Sequence, residues 1–324
     1  MNHESSALLQ VRDLCVDFKL RTGPLPAVRH VSFDLAKGER MGLVGESGAG
    51  KSVTGFALLN LVSKPGHIAS GSILFEGQDL VALSPEAMRQ IRGNRIAMIF
   101  QDPMMTLNPV LTIGTQMVET LQAHFPMSTA EAEALALEKL RQVAIPSPEK
   151  RLRQYPHEFS GGMRQRIVIA IALLTSPSLI IADEPTTALD VTIQADIMEL
   201  LLHLCETEHM GLLLITHDLA VVSQVTQKIA VMYAGAIVEM GPTENIVRAP
   251  KHPYTQGLLA ALPQNAARRG RLNQIPGTMP TLSRIPSGCS FHNRCPKAAD
   301  ICRTTPPHVH PLADGTAVAC HFVD

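Results

Sequence analysis

The sequence contains no apolar run long enough to cross a membrane. Its longest candidate covers residues 167–174 and is followed by polar residues and a proline at 175–178, whereas a membrane-spanning helix needs about 20 apolar residues. The first 18 residues mix acidic and basic side chains and lack the basic, apolar and small-residue order of a secretory signal. We therefore expect a cytoplasmic chain whose association with a membrane comes through a partner.

The sequence also lacks an excess of charge of either sign. Its 28 lysine and arginine residues are balanced by 29 aspartate and glutamate residues, which gives a formal net charge of −1. A balanced chain has no overall electrostatic attraction to nucleic acid or to anionic lipid. We therefore expect no nucleic-acid partner.

Short apolar runs separated by helical stretches predict an α/β fold. Between the second and third runs, Ser128 and Glu131 form a capping-box pattern, and apolar residues then recur with helical spacing from Leu137 to Ala144. This region predicts a helical subdomain, at about residues 112–175, inserted into a core domain of residues 1–249. The runs predict buried parallel strands at residues 41–44, 96–100, 179–182 and 212–215.

A glycine-rich segment follows the first predicted strand and precedes a helix-like run. Its backbone can wrap a polyphosphate, Lys51 can reach the β and γ phosphates, and the hydroxyl of Ser52 can hold Mg²⁺. The segment has the spacing of a P-loop and predicts a nucleotide site, while leaving kinases, GTPases and several ATPase classes open. The predicted binding residues are Gly45, Glu46, Ser47, Gly48, Ala49, Gly50, Lys51, Ser52 and Val53.

Other polar side chains follow the remaining predicted strands. Gln101 follows the second strand, Asp183 and Glu184 the third, and His217 the fourth. Open α/β sheets bind ligands beyond the carboxyl ends of their strands, so we expect these groups to share one rim with the P-loop. Asp183 suits the coordination shell of magnesium, and Glu184 suits polarisation of an attacking water.

The segment Phe159-Ser160-Gly161-Gly162-Met163-Arg164-Gln165-Arg166 resembles the signature sequence of ABC ATPases. Ser160 can cap the helix that it opens, and the two glycines leave backbone amides exposed as a second anion site. Phe159 and Met163 replace the commonest leucine and glutamine, and the methionine resembles the peptide and nickel importer branch. The resemblance implies an ABC-type P-loop ATPase core in which these residues contact the ATP of a partner subunit: Ser160, Gly161, Gly162, Met163 and Gln165.

The same resemblance implies roles for residues outside the signature. Asp190 matches the loop that crosses between the two sites, and His217 matches the switch histidine. Phe18 is the candidate for the aromatic ring that stacks on adenine, although a phenylalanine in an amphipathic strand is more often a core residue. The implied magnesium ligands are Ser52, Gln101 and Asp183. The implied catalytic residues are Lys51, Gln101, Glu184 and His217.

The chain changes character after residue 250, where prolines recur and four of the six cysteines lie. These cysteines resemble the small Cys-rich C-terminal extension of ATPases in di- and oligopeptide importers, which we expect over residues 250–324. Four thiols suit either an iron-sulfur cluster or zinc, and the resemblance implies a [4Fe-4S] cluster. We interpret Cys15 and Cys205, outside the extension, as core residues. The expected ligands are Cys289, Cys295, Cys302 and Cys320.

The resemblance implies a subunit that hydrolyses ATP to ADP and phosphate, with Mg²⁺, to power an ABC importer for di- or oligopeptides. Its implied partners are a second ABC ATPase subunit, preferably a paralogue, two membrane permease subunits, and a periplasmic or extracellular solute-binding protein. The chain would be peripheral to the cytoplasmic face of the inner membrane. Two alternatives stay open: the same machinery importing nickel, glutathione or another small solute, and a soluble ABC ATPase without a permease.

Overall fold

The computed structural model describes residues 7–187, 189–262 and 274–323, and the chain divides into two compact units. The first unit consists mainly of Leu83–Leu213. The second unit consists mainly of Leu9–Leu35, Glu39–Ala82 and Leu214–Asp324.

The strands of the chain are mostly short, and several match the predicted apolar runs. Their bounds are β1 Ala7–Leu20, β2 Gly23–Ala36, β3 Arg40–Val44, β4 Gly66–Phe75, β5 Gln78–Asp79, β6 Ile96–Ile99, β7 Leu179–Asp183, β8 Gly211–Thr216, β9 Lys228–Tyr233, β10 Ala236–Pro242, β11 Val309–Pro311 and β12 Ala317–Ala319. The four predicted strands are therefore confirmed, as β3, β6, β7 and β8.

The helices range from one turn to about five turns in length. Among the residues that the structure describes, no helix is long and apolar enough to cross a bilayer. Their bounds are α1 Lys51–Leu58, α2 Pro85–Ile91, α3 Pro103–Thr106, α4 Ile113–Gln122, α5 Thr129–Gln142, α6 Pro148–Arg151, α7 Gly161–Ala172, α8 Val191–Thr207, α9 Leu219–Val225, α10 Thr243–Arg248, α11 Pro253–Ala260 and α12 Asp300–Thr304.

In the first unit, β6 and β7 form a parallel pair. Ile96 lies opposite Leu179, and Ile99 lies opposite Ala182. Every residue of β7 is buried, which fits its continuous apolar sequence because both faces of a parallel sheet are usually covered. The strand ends at Asp183, so the chain leaves the buried sheet at the two acidic residues predicted for the site.

Helices α4 to α7 lie between β6 and β7 along the chain, and α5 packs against both α4 and α7. At the start of α5, Ser128 Oγ accepts the backbone N–H of Glu131 at 3.3 Å, and Glu131 Oε2 accepts the N–H of Ser128 at 2.8 Å. The predicted capping box is therefore confirmed. The helix ends at Gln142, two residues before the predicted spacing ends, and Ala144 has a left-handed φ of +57°.

In the second unit, β2, β1, β4 and β5 lie side by side in that order, and β1 pairs antiparallel with β4. A second set of strands has the order β11, β12, β10, β9 and β3. Only the pair of β9 and β3 is parallel within this set. In the described part of the chain beyond residue 250, β12 lies next to β10 and β11 lies next to β12. Strand β3 leads directly into the glycine-rich loop.

The two cysteines outside the C-terminal region differ in their surroundings. Cys205, on α8, is 2% exposed, as expected of a core residue. Cys15 is only half-buried, and its Sγ lies 3.7 Å from Nδ1 of His30, which is 2.7 Å from Oδ1 of Asp13. The core interpretation of Cys15 is wrong because the register of β1 against β4 shifts on both sides of this residue, and such a bulge re-aims side chains.

Candidate active site

The glycine-rich loop connects the end of β3 at Val44 to the start of α1 at Lys51. Two of its glycines are required by close backbone contacts: a Cβ on Gly45 would lie 2.2 Å from the Met232 carbonyl oxygen, and one on Gly50 would lie 2.6 Å from that of Ala27. Gly50 also has a φ of +100°, which L side chains rarely adopt. The loop is therefore built for glycine at these positions.

Lys51 lies at the first position of α1 and is only 5% exposed. Its Nζ donates hydrogen bonds to the carbonyl oxygens of Gly45, at 2.8 Å, and Glu46, at 3.0 Å. The ammonium group is thus held over the loop, at a helix N-terminus where backbone amides and the helix dipole favour an anion. Ser52 and Val53 follow in the first turn of the same helix, which is the arrangement that polyphosphate binding requires.

Glu46 is fixed by contacts that the motif does not reveal. Its backbone N–H donates to the hydroxyl of Tyr254 at 2.9 Å, and its carboxylate receives two hydrogen bonds from Arg294, at 2.8 and 3.0 Å. Sequence analysis missed both partners because they lie far along the chain and belong to no nucleotide-binding motif.

In the first unit, the structure brings together two of the predicted catalytic residues. Gln101 Nε2 donates to Glu184 Oε2 at 3.2 Å, and Thr187 Oγ1 donates to the same oxygen at 2.8 Å. Glu184 has a left-handed φ of +45°, a conformation that often marks functional sites. Asp183, directly before it, is 3% exposed. Thr187 is a further residue that the sequence motifs did not indicate.

The signature segment opens α7, and Ser160 is the residue that caps this helix. Its Oγ accepts the backbone N–H of Met163 at 3.4 Å, as predicted. A Cβ on Gly162 would lie 2.9 Å from Cγ2 of Ile193, on α8, so the glycine allows the two helices to approach closely. Gln165 is 1% exposed, and its Nε2 has no hydrogen-bond partner among the residues that the structure describes.

The remaining predicted residues lie at the ends of elements. Asp190 precedes α8 and is exposed, and His217 follows β8 and is also exposed. Phe18 is half-buried on β1, and the edge of its ring lies against Gly66. A Cβ added to Gly66 would lie 2.9 Å from Cε1 of Phe18. Their roles towards ATP stay predictions. The signature, Gln101 and the acidic pair belong to the first unit, and the loop, Phe18 and His217 to the second.

The four cysteines of the C-terminal region have an environment that partly suits metal ligands. Burial raises the pKa of the Cys289 thiol, and the thiols of Cys302, Cys295 and Cys320 raise it further. Backbone N–H groups two residues further on donate to Cys295 Sγ at 3.4 Å and Cys320 Sγ at 3.5 Å. However, within the described residues, no group of three or more His, Cys, Asp or Glu side chains is arranged to hold a metal ion. The arrangement therefore does not support the expected iron-sulfur cluster.

A strand-connected P-loop, a buried aspartate followed by a glutamate, and a capped signature helix define an ATP-hydrolysing protein of the ABC class. A family model described as "ABC transporter" matches residues 28–187. A second model, "Oligopeptide/dipeptide transporter, C-terminal region", matches residues 238–302 and therefore ends before Cys320.

Similar proteins cover almost the whole chain. The "Dipeptide transport ATP-binding protein DppD" of Haemophilus influenzae is 49% identical over 97% of this chain and 95% of its own length. The "Oligopeptide transport ATP-binding protein OppD" of Bacillus subtilis is 50% identical over 95% of this chain and 86% of its own. The dimeric ABC transporter cassette MJ0796 superimposes with a TM-score of 0.65 at 26% identity, covering 72% of this chain and 98% of that chain. The chain belongs to the family of ABC transporter ATP-binding proteins.

Proposed function

We propose that this chain is the ATP-hydrolysing subunit of an importer that carries di- or oligopeptides across the cytoplasmic membrane. The observation that carries this proposal is near-full-length similarity to ATP-binding proteins of dipeptide and oligopeptide transport. The match to the C-terminal region of oligopeptide and dipeptide transporters supports the same cargo class. Nickel, glutathione or another small solute is the alternative cargo, because the ATPase need not contact what is carried.

In this proposal, the residues that the sequence motifs indicate bind and hydrolyse ATP. ATP with Mg²⁺ supplies the phosphoanhydride bond that is cleaved. Lys51 binds the β and γ phosphates, and Glu184 accepts a proton from the attacking water. Gln101 and His217 would contact the γ-phosphate side of the site, and Ser52, Gln101 and Asp183 would hold Mg²⁺. Phe18 stacks on adenine.

A second subunit completes the site. The N-terminus of α7, with its exposed Ser160, is a second place where backbone amides could bind an anion. We propose that Ser160, Gly161, Gly162, Met163 and Gln165 contact the γ-phosphate held by the partner subunit and that Asp190 lies between the two sites. Support comes from the similarity to a dimeric ABC cassette.

The proposed assembly pairs this chain with a second ABC ATPase subunit, preferably a paralogue, and with two permease subunits and a solute-binding protein. The chain then lies peripherally on the cytoplasmic face of the membrane. We further propose a core domain at residues 1–249, with a helical subdomain at about 112–175, and a C-terminal extension at residues 250–324. The permease would contact the surface around Gln101 and the helical subdomain.

The four cysteines of the extension remain a proposed metal site, with iron-sulfur first and zinc second. Thiol ligands suit both, and the other three thiols lie close enough to Cys289 to add to the effect of burial in raising its pKa. Against this stands the absence, within the described residues, of a group of three or more side chains arranged to hold a metal ion. Iron, sulfide and zinc analysis of anaerobically purified chain decides between them. A purified chain with less than about 0.2 metal ions per polypeptide would contradict the proposed metal site.

Purification from native membranes tests the importer itself. The tagged chain should co-purify with two permease subunits and a second ATPase. Vesicles reconstituted with this complex should take up a labelled dipeptide when ATP and the solute-binding protein are present, and Glu184→Gln should stop uptake. Recovery of the chain without permeases would favour a soluble ABC ATPase, and uptake of nickel or glutathione but not of peptides would overturn the cargo.

A further inference from the structure

Glu46, the second residue of the glycine-rich loop (called the phosphate loop below), is held by contacts with the C-terminal region. Both terminal nitrogens of Arg294 donate to the carboxylate of Glu46, at 2.8 and 3.0 Å. The side chain of Arg294 is 6% exposed and that of Glu46 29% exposed. A two-point bond between a planar guanidinium and a carboxylate fixes orientation as well as distance, so this contact sets the position of the Glu46 side chain.

Arg294 is itself fixed by further contacts. Its Nε donates to the carbonyl oxygen of Pro276 at 2.9 Å. Its guanidinium carbon lies 5.8 Å from the centre of the Tyr233 ring and 5.9 Å from that of Phe291. A lysine could supply the charge but not the fork or the stacking plane. The site is therefore shaped for arginine and holds it in one orientation towards the loop.

The backbone of Glu46 is anchored by the same group of residues. Tyr254, which is fully buried on α11, accepts the Glu46 N–H with its hydroxyl at 2.9 Å. Its ring lies 4.7 Å from that of Tyr233 and 5.4 Å from that of Phe291, centre to centre. One aromatic cluster, Tyr233, Tyr254 and Phe291, thus supports both the hydroxyl and the guanidinium that hold Glu46.

The position of Glu46 affects the phosphate-binding lysine directly. The carbonyl oxygen of Glu46 accepts a hydrogen bond from Lys51 Nζ at 3.0 Å. If the side chain and N–H of Glu46 are released, this carbonyl and the peptide planes beside it can rotate, and the ammonium group loses a fixed partner. Preorganised donors bind an anion more tightly than donors that must first be ordered.

We propose that Arg294 is a positioning residue for ATP binding: through Glu46 it holds the phosphate loop and Lys51 ready for the phosphates. The C-terminal region therefore contributes to nucleotide affinity without contacting the nucleotide. This inference rests on the ATP site of the proposed function. The alternative is a purely structural ion pair that attaches the C-terminal region to the rest of the second unit and leaves ATP affinity unchanged.

The test measures the Kd of the purified full-length chain for MgATP together with the KM and kcat of hydrolysis. Arg294→Ala should raise Kd and KM about tenfold, which corresponds to about 1.4 kcal/mol, with kcat changed less than about twofold because no reacting atom is touched. Arg294→Lys should raise Kd about threefold, since it keeps the charge but loses the fork. Arg284→Ala removes an exposed arginine of the same region and is the matched control.

A double-mutant cycle separates positioning from attachment. Glu46→Gln should weaken ATP binding as Arg294→Ala does, and the double variant should be no weaker than the weaker single variant, because both remove one contact. Additive losses, or a Kd within twofold of wild type for folded Arg294→Ala, overturn the inference. If the Arg294→Ala chain does not fold, an Arg294→Lys chain that binds MgATP as tightly as wild type would also overturn the inference. Failure of the wild-type chain to bind ATP more tightly than Lys51→Ala would instead overturn the proposed function.

Discussion

Glu184 is the proposed activator of the attacking water, and two neighbours orient its carboxylate. Gln101 and Thr187 both donate to its Oε2. Glu184→Gln keeps the size and the hydrogen-bonding capacity of the side chain but removes its basicity. We expect ATP affinity to change less than about threefold, whereas kcat should fall about 100-fold or more, the usual effect of losing a general base.

Measurement of phosphate release alongside nucleotide binding checks this expectation. Glu199→Gln, on the exposed face of α8, makes the same chemical change away from the site and should leave both quantities near wild type. A Glu184→Gln chain that hydrolyses ATP at the ordinary rate would show that another group activates the water.

His252 makes the stability of the fold depend on pH. Burial lowers its pKa from 6.5 to about 4, because the charged imidazolium would lose its hydration. Below about pH 6.5 the unfolded chain binds a proton that the folded chain does not, so stability falls as the pH drops towards 4 and levels off below it. The loss amounts to about 3 kcal/mol over that window.

Urea unfolding at pH 7.5 and pH 5 tests this dependence. His252 Nδ1 accepts the backbone N–H of Tyr254 at 3.0 Å, and an asparagine oxygen can replace that acceptor without titrating. His252→Asn should therefore reduce the difference in unfolding free energy between the two pH values by about 2 kcal/mol. An equal pH dependence in wild type and variant would assign it to other groups.

The site residues that could be predicted are those that belong to short motifs of neighbouring residues. Lys51 and Ser160 stand in local motifs. Ser160 caps α7 as predicted, and Lys51 donates to two carbonyl oxygens of the glycine-rich loop, while its contact with phosphate stays a prediction. Thr187, Tyr254 and Arg294 were missed because their significance lies in contacts made after folding. Arg294 and Glu46 are 248 residues apart in the chain, and no sequence spacing reports such a contact.

At the scale of single elements, the start of α5 offers a direct measure of what one cap contributes. Ser128 and Glu131 satisfy each other's backbone N–H groups. Ser128→Ala should lower the unfolding free energy by about 1 kcal/mol, the common cost of losing a serine cap, while ATP affinity stays unchanged. Ser147 precedes α6 and makes no side-chain cap hydrogen bond, so Ser147→Ala should cost measurably less. Equal losses in urea unfolding would mean that the cap contributes little.

Strands and helix starts were easier to predict than helix ends and the C-terminal region. The strand predicted at 179–182 forms as β7 because a continuous apolar run has few alternatives to a buried parallel strand. The apolar spacing predicts that α5 continues to Ala144, but the helix ends at Gln142. The spacing extends too far because Val143 is buried although it lies beyond the end of the helix. The short strands β11 and β12 carry no periodic pattern. The pairing of β12 with β10 depends on a long-range contact, and β11 pairs only with β12 among the described strands.

At the scale of the whole molecule, the C-terminal region is joined to the rest of the second unit by strand pairing and by side-chain contacts. β12 pairs with β10, with Val318 opposite Glu239, and Arg294 binds Glu46 of the phosphate loop. Val318 and Arg294 therefore place a segment outside the ATPase motifs against β10 and the glycine-rich loop. Substitutions in this region are therefore expected to change the affinity for ATP more than they change kcat.

If two subunits share each ATP as proposed, their association should depend on the charge at the N-terminus of α7. In a Glu184→Gln background, where ATP is bound but not consumed, ATP should drive association with the second ATPase subunit, or with another copy of this chain. Adding Ser160→Glu places a carboxylate where the partner's γ-phosphate is proposed to bind. Repulsion between the two anions should weaken ATP-dependent association at least tenfold, about 1.4 kcal/mol.

Sedimentation velocity with and without ATP measures this association. Ser283→Glu adds the same charge at an exposed position of the C-terminal region and should leave ATP-dependent association intact, which separates a local effect from one of net charge. ATP binding to the Ser160→Glu chain alone should stay normal, because the phosphate loop of the same chain is untouched. Undiminished association of Ser160→Glu would place the partner's phosphate elsewhere and remove the signature helix from the shared site.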